Sequence, residues 1–170
     1  MRKLPSTRPP FTIGGQSVPA GRQQTLHLPL PRLYTHTEMA MPISVVHGRS
    51  DGPRLLVTAA IHGDELNGVE IIRRLLDLPQ VRHLRGTLIA VPVINVYGFL
   101  TGTRYLPDRR DLNRSFPGSE RGSLTSRLAH EIMTTLLGQA THGIDLHTGA
   151  IHRSNLPQIR ADLADHTVLG

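Results

Sequence analysis

Two apolar runs constrain this chain more than any other feature. Residues 54–61 (RLLVTAAI) and 86–94 (GTLIAVPVI) are nearly continuous in apolar side chains. A strand with water on one face alternates apolar and polar residues. A strand covered on both faces does not, and these runs read as covered strands. Between them, Val69, Ile72, Leu75 and Leu76 share one helical face, while Glu70, Arg73 and Arg74 take the other, so the spacing predicts a helix over 65–78 that Pro79 stops. Strand, helix and strand in that order demand a right-handed crossover and a parallel pair. The fold class is therefore α/β.

The remaining elements extend this unit. Residues 1–23 are rich in Pro, Gly and Ser and read as an extended lead-in. Leu26, Leu28 and Leu30 alternate with His27 and Pro29, the pattern of an edge strand, and residues 39–46 suit a second strand that pairs with it antiparallel. Residues 95–102 and 103–118 read as loops. Leu124, Leu128, Ile132 and Leu136 recur at steps of four and predict a helix over 121–140. Residues 143–149 form a last short strand ending in a turn, and 150–170 a loop with some helical character.

Composition narrows the partners. The 170 residues carry 19 Lys+Arg against 13 Asp+Glu, a net charge of +6, and Lys3 is the single lysine. Arginine binds carboxylate through a planar fork, so this balance favours a small anionic substrate. The arginines are scattered and no aromatic residues interleave with them, which argues against nucleic acid. Without cysteine, disulfides and thiolate metal sites are excluded. No run is long enough for a membrane span, and the proline-broken N-terminus around Arg2, Lys3 and Arg8 lacks a signal-peptide core, so the cytoplasm is the expected compartment. Of the ten histidines, His27, His36, His83, His130, His152 and His166 suit surface or loop positions.

His62 and Glu65 fall where the first covered strand gives way to the helix. Imidazole and carboxylate at this spacing can converge on one zinc ion. His147 lies at the end of another strand. In an open α/β sheet the C-terminal strand ends share one edge, so His147 can meet His62 in space. Asp145, two residues earlier on the same strand face, suits the second ring nitrogen of a ligand histidine. Capping and loop roles serve these residues equally well when each is taken alone. In the arginine-dense segment, Arg114 offers a fork and Asn113 an amide for a substrate carboxylate. Arg104 suits a carbonyl oxygen that gains charge. A solvated loop is the plainer reading of the same segment, and Arg109 and Arg110 suit the surface.

Three motifs in order, AIHGDE (60–65), DLNRSFPG (111–118) and DLHTG (145–149), resemble the succinylglutamate desuccinylase/aspartoacylase family, part of the zinc carboxypeptidase-like group. The resemblance covers roughly residues 43–160. It implies a mixed central sheet between helices, with zinc (Zn2+) held by His62, Glu65 and His147 and a ligand histidine oriented by Asp145. It further implies Arg104 at the carbonyl oxygen and Asn113 with Arg114 at the substrate carboxylate. The implied reaction is hydrolysis of the amide of an N-acyl amino acid. The family's general base is a glutamate well downstream of the His-Thr-Gly motif, and no glutamate follows His147 here. The expectation is therefore an N-terminal portion: a lead-in with edge strands over 1–42 and an incomplete catalytic domain over 43–170. Such a portion holds metal, turns over little alone, and can self-associate through uncovered core. A zinc carboxypeptidase acting on peptides or glutamyl tails and a non-catalytic metal- or ligand-binding domain are the rival readings.

Overall fold

A computed structural model describes residues 8–33, 35–150 and 153–161. Expectations that fall on Arg2, Lys3, His152 and His166 lie outside the described residues. Ten elements follow in order: β1 (Phe11–Ile13), β2 (Gln16–Val18), β3 (Arg22–Leu30), β4 (Met39–His47), β5 (Arg54–Ala59), α1 (Asn67–Asp77), β6 (Thr87–Val91), α2 (Val96–Thr101), α3 (Leu124–Glu131) and β7 (His142–Leu146). Residues 153–161 add neither helix nor strand.

Five strands form one sheet in the order β3-β4-β6-β5-β7. β3 pairs antiparallel with β4, and β4 antiparallel with β6. β5 lies parallel to both β6 and β7. This is the expected mixed sheet with flanking helices. The two apolar runs sit at its centre, and every residue of β6 is buried. Their side chains alternate between two cores. Leu56, Ile89 and Val91 join β3, β4, α3 and the N-terminal hairpin on one face, while Val57, Ala59, Leu88 and Ala90 meet Ile72 of α1 on the other.

Four local expectations need correction. Within the lead-in, β1 and β2 form a hairpin across Gly14 and Gly15, both at positive φ. A two-residue turn with that backbone is the preferred hairpin connection, and two glycines supply it without steric cost. Phe11, Ile13 and Val18 are thereby buried in the first core. Residues expected as a loop form α2, whose N-cap Asn95 accepts a bond from Gly98 N and whose C-cap Gly102 has φ 62°. Six residues are too few for helical periodicity to show. The helix expected from 121 starts at Leu124, because Ser123 caps it by accepting from Ser126 N. It then changes to a π turn over Ile132–Leu136 and a 3-10 turn over Leu137–Gln139. There the Thr134 hydroxyl donates back to His130 O, a bond that competes with the helical ladder.

A buried histidine closes the end of the sheet opposite the β5 C-terminus. His47 is 3 % exposed, with Nε2 on the Pro9 carbonyl and Nδ1 on the Thr87 hydroxyl. A carbonyl only accepts, so Nε2 carries the proton and Nδ1 accepts from Thr87. Burial pushes this imidazole below its ordinary pKa; the Pro9 carbonyl opposes the shift and Arg8 adds to it. The unfolded chain then takes up a proton more readily than the folded one. The stability this ring contributes is present above the unfolded value of 6.5 and is lost as pH falls below it. The urea midpoint is expected to drop between about pH 7.5 and about pH 5.5, and His47→Gln to flatten that drop. Within the core, Ile89→Ala is expected to cost about 2–5 kcal/mol in the same titration at neutral pH.

Candidate metal centre

The site is built where β5 and β7 end side by side. Their parallel register sets Thr58 opposite Asp145 and Ala59 opposite Leu146. Beyond β5, Ala60 takes a left-handed backbone at φ 51° and turns the chain into residues 61–65. Beyond β7 the next residue is His147. The sheet thus delivers two segments, distant in sequence, to one edge.

Glu65 is the meeting point. It is 3 % exposed, and its Oε1 lies 2.7 Å from His62 Nδ1. Its Oε2 lies 3.0 Å from His147 Nδ1 and accepts from Thr148 N at 2.9 Å. The two imidazole rings are 5.3 Å apart at their centroids. One donor atom from each of His62, Glu65 and His147 lies within 4.8 Å of the others. Two imidazoles and a carboxylate are a borderline-hard donor set that suits a divalent transition metal.

Each histidine turns its other nitrogen to an aspartate. His147 Nε2 is 2.6 Å from Asp145 Oδ2, and Asp145 Oδ1 accepts from the Thr58 hydroxyl at 2.6 Å. His62 Nε2 is 3.3 Å from Asp111 Oδ1, within ion-pair reach but without hydrogen-bond alignment, and is otherwise unpartnered in a buried position. Carboxylates on the outer nitrogens leave both Nδ1 atoms directed inward, the arrangement in which a metal ligand is held in orientation. These residues fit a metal ion. The Asp145 hydrogen bond raises the His147 pKa against the opposing effect of burial, with Glu65 adding to the rise.

Arg104 borders the cluster. Its Nε and Nη2 both donate to Asp111 Oδ2, at 3.0 and 2.8 Å, and its Nη1 stands 3.9 Å from Glu65 Oε1. Burial would raise the Asp111 pKa, but the Arg104 fork and the Asn113 N–H outweigh it and hold the carboxyl below its usual range. Asp111 is thus a shared anchor for Arg104, the Asn113 backbone and the outer side of His62. It stood first in the DLNRSFPG motif, yet nothing about an aspartate heading a loop announced this role. Thr58, inside an apolar run, was equally hidden.

The remaining site residues lie further out. The Asn113 backbone N–H is bound by Asp111, and Arg114 is exposed, with Nη1 donating to Asn113 O. His62, Glu65, His147, Asp145 and Arg104 therefore form one contact network, and only the side chain of Arg114 stands apart from it, since its backbone N–H donates to Asp111 O.

The fold is thus a mixed α/β sheet whose strand ends carry a His-Glu-His cluster that could hold a metal ion. The catalytic domain of the succinylglutamate desuccinylase/aspartoacylase family matches residues 51–169, and the chain belongs to that family. It is 36 % identical over 110 residues to N-alpha-acetyl-L-2,4-diaminobutyric acid deacetylase of Halomonas elongata, covering 64 % of this chain and 32 % of that one. It is 31 % identical over 157 residues to succinylglutamate desuccinylase of Pseudomonas aeruginosa, covering 82 % and 45 %. The crystal structure of a succinylglutamate desuccinylase/aspartoacylase from Rhodobacter sphaeroides superposes with a TM-score of 0.69 at 32 % identity, over 75 % of this chain and 40 % of that one. The chain spans less than half the length of these relatives. Among the described residues no helix is long and apolar enough to cross a membrane.

His62→Ala or His147→Ala is expected to abolish tight retention of a divalent metal. Asp145→Ala and Asp111→Ala are expected to weaken it by about 10–100-fold, read by competition with a chromogenic chelator. Equal affinity in wild type and His62→Ala would remove the metal assignment.

Proposed function

We propose that this chain supplies the metal-binding part of a zinc-dependent hydrolase that cleaves the amide bond of a small N-acyl amino acid. One observation carries the reading: a buried Glu65 faces the Nδ1 atoms of two histidines, with the Arg104 guanidinium beside it. The names of the two relatives, a deacetylase and a desuccinylase, support the substrate class.

His62, Glu65 and His147 would hold the zinc. When bound, zinc supplies Lewis acidity toward the amide carbonyl and acidifies water. Asp145 fixes the His147 ring by accepting at Nε2, and Thr58 fixes Asp145 in turn. Arg104 is held by two donors on one Asp111 oxygen, which leaves Nη1 near Glu65 for the substrate carbonyl oxygen as it gains charge. The exposed Arg114, with the Asn113 amide, takes the substrate carboxylate. The general base is assigned to none of the described residues. Residues 43–170 are assigned to the N-terminal part of this catalytic unit and 1–42 to a lead-in with edge strands. The cytoplasm is the proposed compartment. Ile144, half exposed on β7, supports self-association, which light scattering checks.

Calorimetric titration of the zinc-loaded protein tests the reading. N-acetyl and N-succinyl amino acids are expected to bind, short peptides not, and Arg114→Ala to lower affinity by about tenfold or more. Preferential binding of peptides would instead make the site a carboxypeptidase's. In any preparation that hydrolyses an N-acyl amino acid, Arg104→Ala is expected to lower kcat by about 10²–10³-fold.

A further inference from the structure

We infer that Asn95 is a positioning residue that sets the distance between the metal-binding turn and the arginine beside it. Its side chain is fully buried, at 0 % exposed, although asparagine is among the most water-seeking residues. Both donors and the oxygen of the amide are used. Nδ2 donates to Ile61 O at 3.2 Å and to Arg104 O at 3.3 Å, and Oδ1 accepts from Gly98 N at 2.9 Å. Two carbonyls can only accept and a backbone N–H can only donate, so the network admits one orientation of the amide.

The two carbonyls belong to the segments that matter. Ile61 immediately precedes His62, and Arg104 carries the guanidinium that reaches Asp111 and Glu65. One side-chain nitrogen therefore ties the backbone of a proposed metal ligand's neighbour to the backbone of the proposed carbonyl-binding arginine. The backbone reinforces the tie. Asn95 N donates to Ala60 O, the residue at φ 51°, and Thr103 N donates to Gly98 O. Gly63 packs so tightly on this turn that a Cβ there would overlap the Gly98 carbonyl. α2 is thus a six-residue block wedged between residues 60–63 and 103–104, and the Asn95 side chain fixes its seat.

An N-cap asparagine needs only its oxygen. The two donor bonds exceed that need, and they point at the site. The role of Arg104 in this inference rests on the proposed hydrolase; the role of the His62 turn rests only on metal binding.

Asn95→Ser separates capping from positioning. A serine hydroxyl can still accept from Gly98 N, so the helix cap survives, but it cannot reach both carbonyls. The variant is expected to fold, with a far-UV spectrum like wild type, and to bind zinc about tenfold more weakly in chelator competition. In hydrolysis of an N-acetyl amino acid, kcat is expected to fall at least tenfold with KM within twofold, and by less than twofold when Arg104 is already alanine. Thr87→Val, which removes the His47 partner at the far end of the sheet, controls for lost stability; its zinc affinity is expected to stay within twofold of wild type. Asn95→Thr, which keeps an uncharged cap oxygen and fills more of the vacated space, serves if the serine variant does not fold. A folded Asn95 variant with zinc affinity within twofold of wild type overturns the inference. Absence of hydrolysis by wild type would instead count against the proposed function, and the zinc measurement alone would then decide Asn95.

Discussion

The site depends on a buried carboxylate. Glu65 is 3 % exposed and must be neutralised by what surrounds it. A buried charge without partners costs several kcal/mol, and removing one partner of such a set costs about 3–5 kcal/mol. Glu65 meets this demand with donors from two places: His62 from its own turn, and His147 with the Thr148 N–H from beyond β7. The acid therefore does more than offer one atom to a metal. It fixes where the residues after β7 must lie relative to the start of α1.

That requirement can be met only because the sheet puts β5 and β7 in parallel register. The Thr58 hydroxyl donates across the register to Asp145, and Asp145 holds His147. Gly68, in the first turn of α1, lies against Ala59 and Leu146, and a Cβ there would press on both side chains. Helix, strand and edge strand thus approach closely at the level of the cluster. A larger residue at Gly68 would move α1, and Glu65 with it, away from His147.

How much of this was legible in the sequence follows the range of each interaction. The two covered strands and α1 showed themselves because burial on both faces, or on one helical face, leaves a local pattern. His62, Glu65 and His147 could be brought together on paper because strand ends in such a sheet share an edge. Asp111 could not be. Its role comes from contacts with Arg104 and His62, and a loop aspartate carries no mark of the side chain it will meet. Thr58 was hidden among apolar neighbours for the same reason. The N-terminal hairpin was legible in principle: Gly14 and Gly15 separate two short alternating segments. Its proline-rich neighbours mask it, because proline cannot donate to a strand ladder and suits extended chain. α2 left an N-cap asparagine and a C-cap glycine in the sequence, but no periodicity between them.

The cluster is not uniform in rigidity. His62 and Glu65 are almost fully enclosed, whereas the His147 side chain is 38 % exposed and Asp145 34 %. The first pair is held from within by Asn95, Asp111 and α2, which the central sheet supports. The second pair rides on β7, whose described partner is β5 and whose Ile144 is half exposed. With fewer buried contacts, β7 opens at lower free energy than β5 or β6. A metal ion shared by both pairs would close that opening, because it binds only when His147 is in place, and ligand binding to the ordered state stabilises that state. Metal affinity would then be the local affinity of three donors reduced by the work of ordering β7. Cover over the edge of β7 that no described strand pairs with would raise the affinity without touching the ligands.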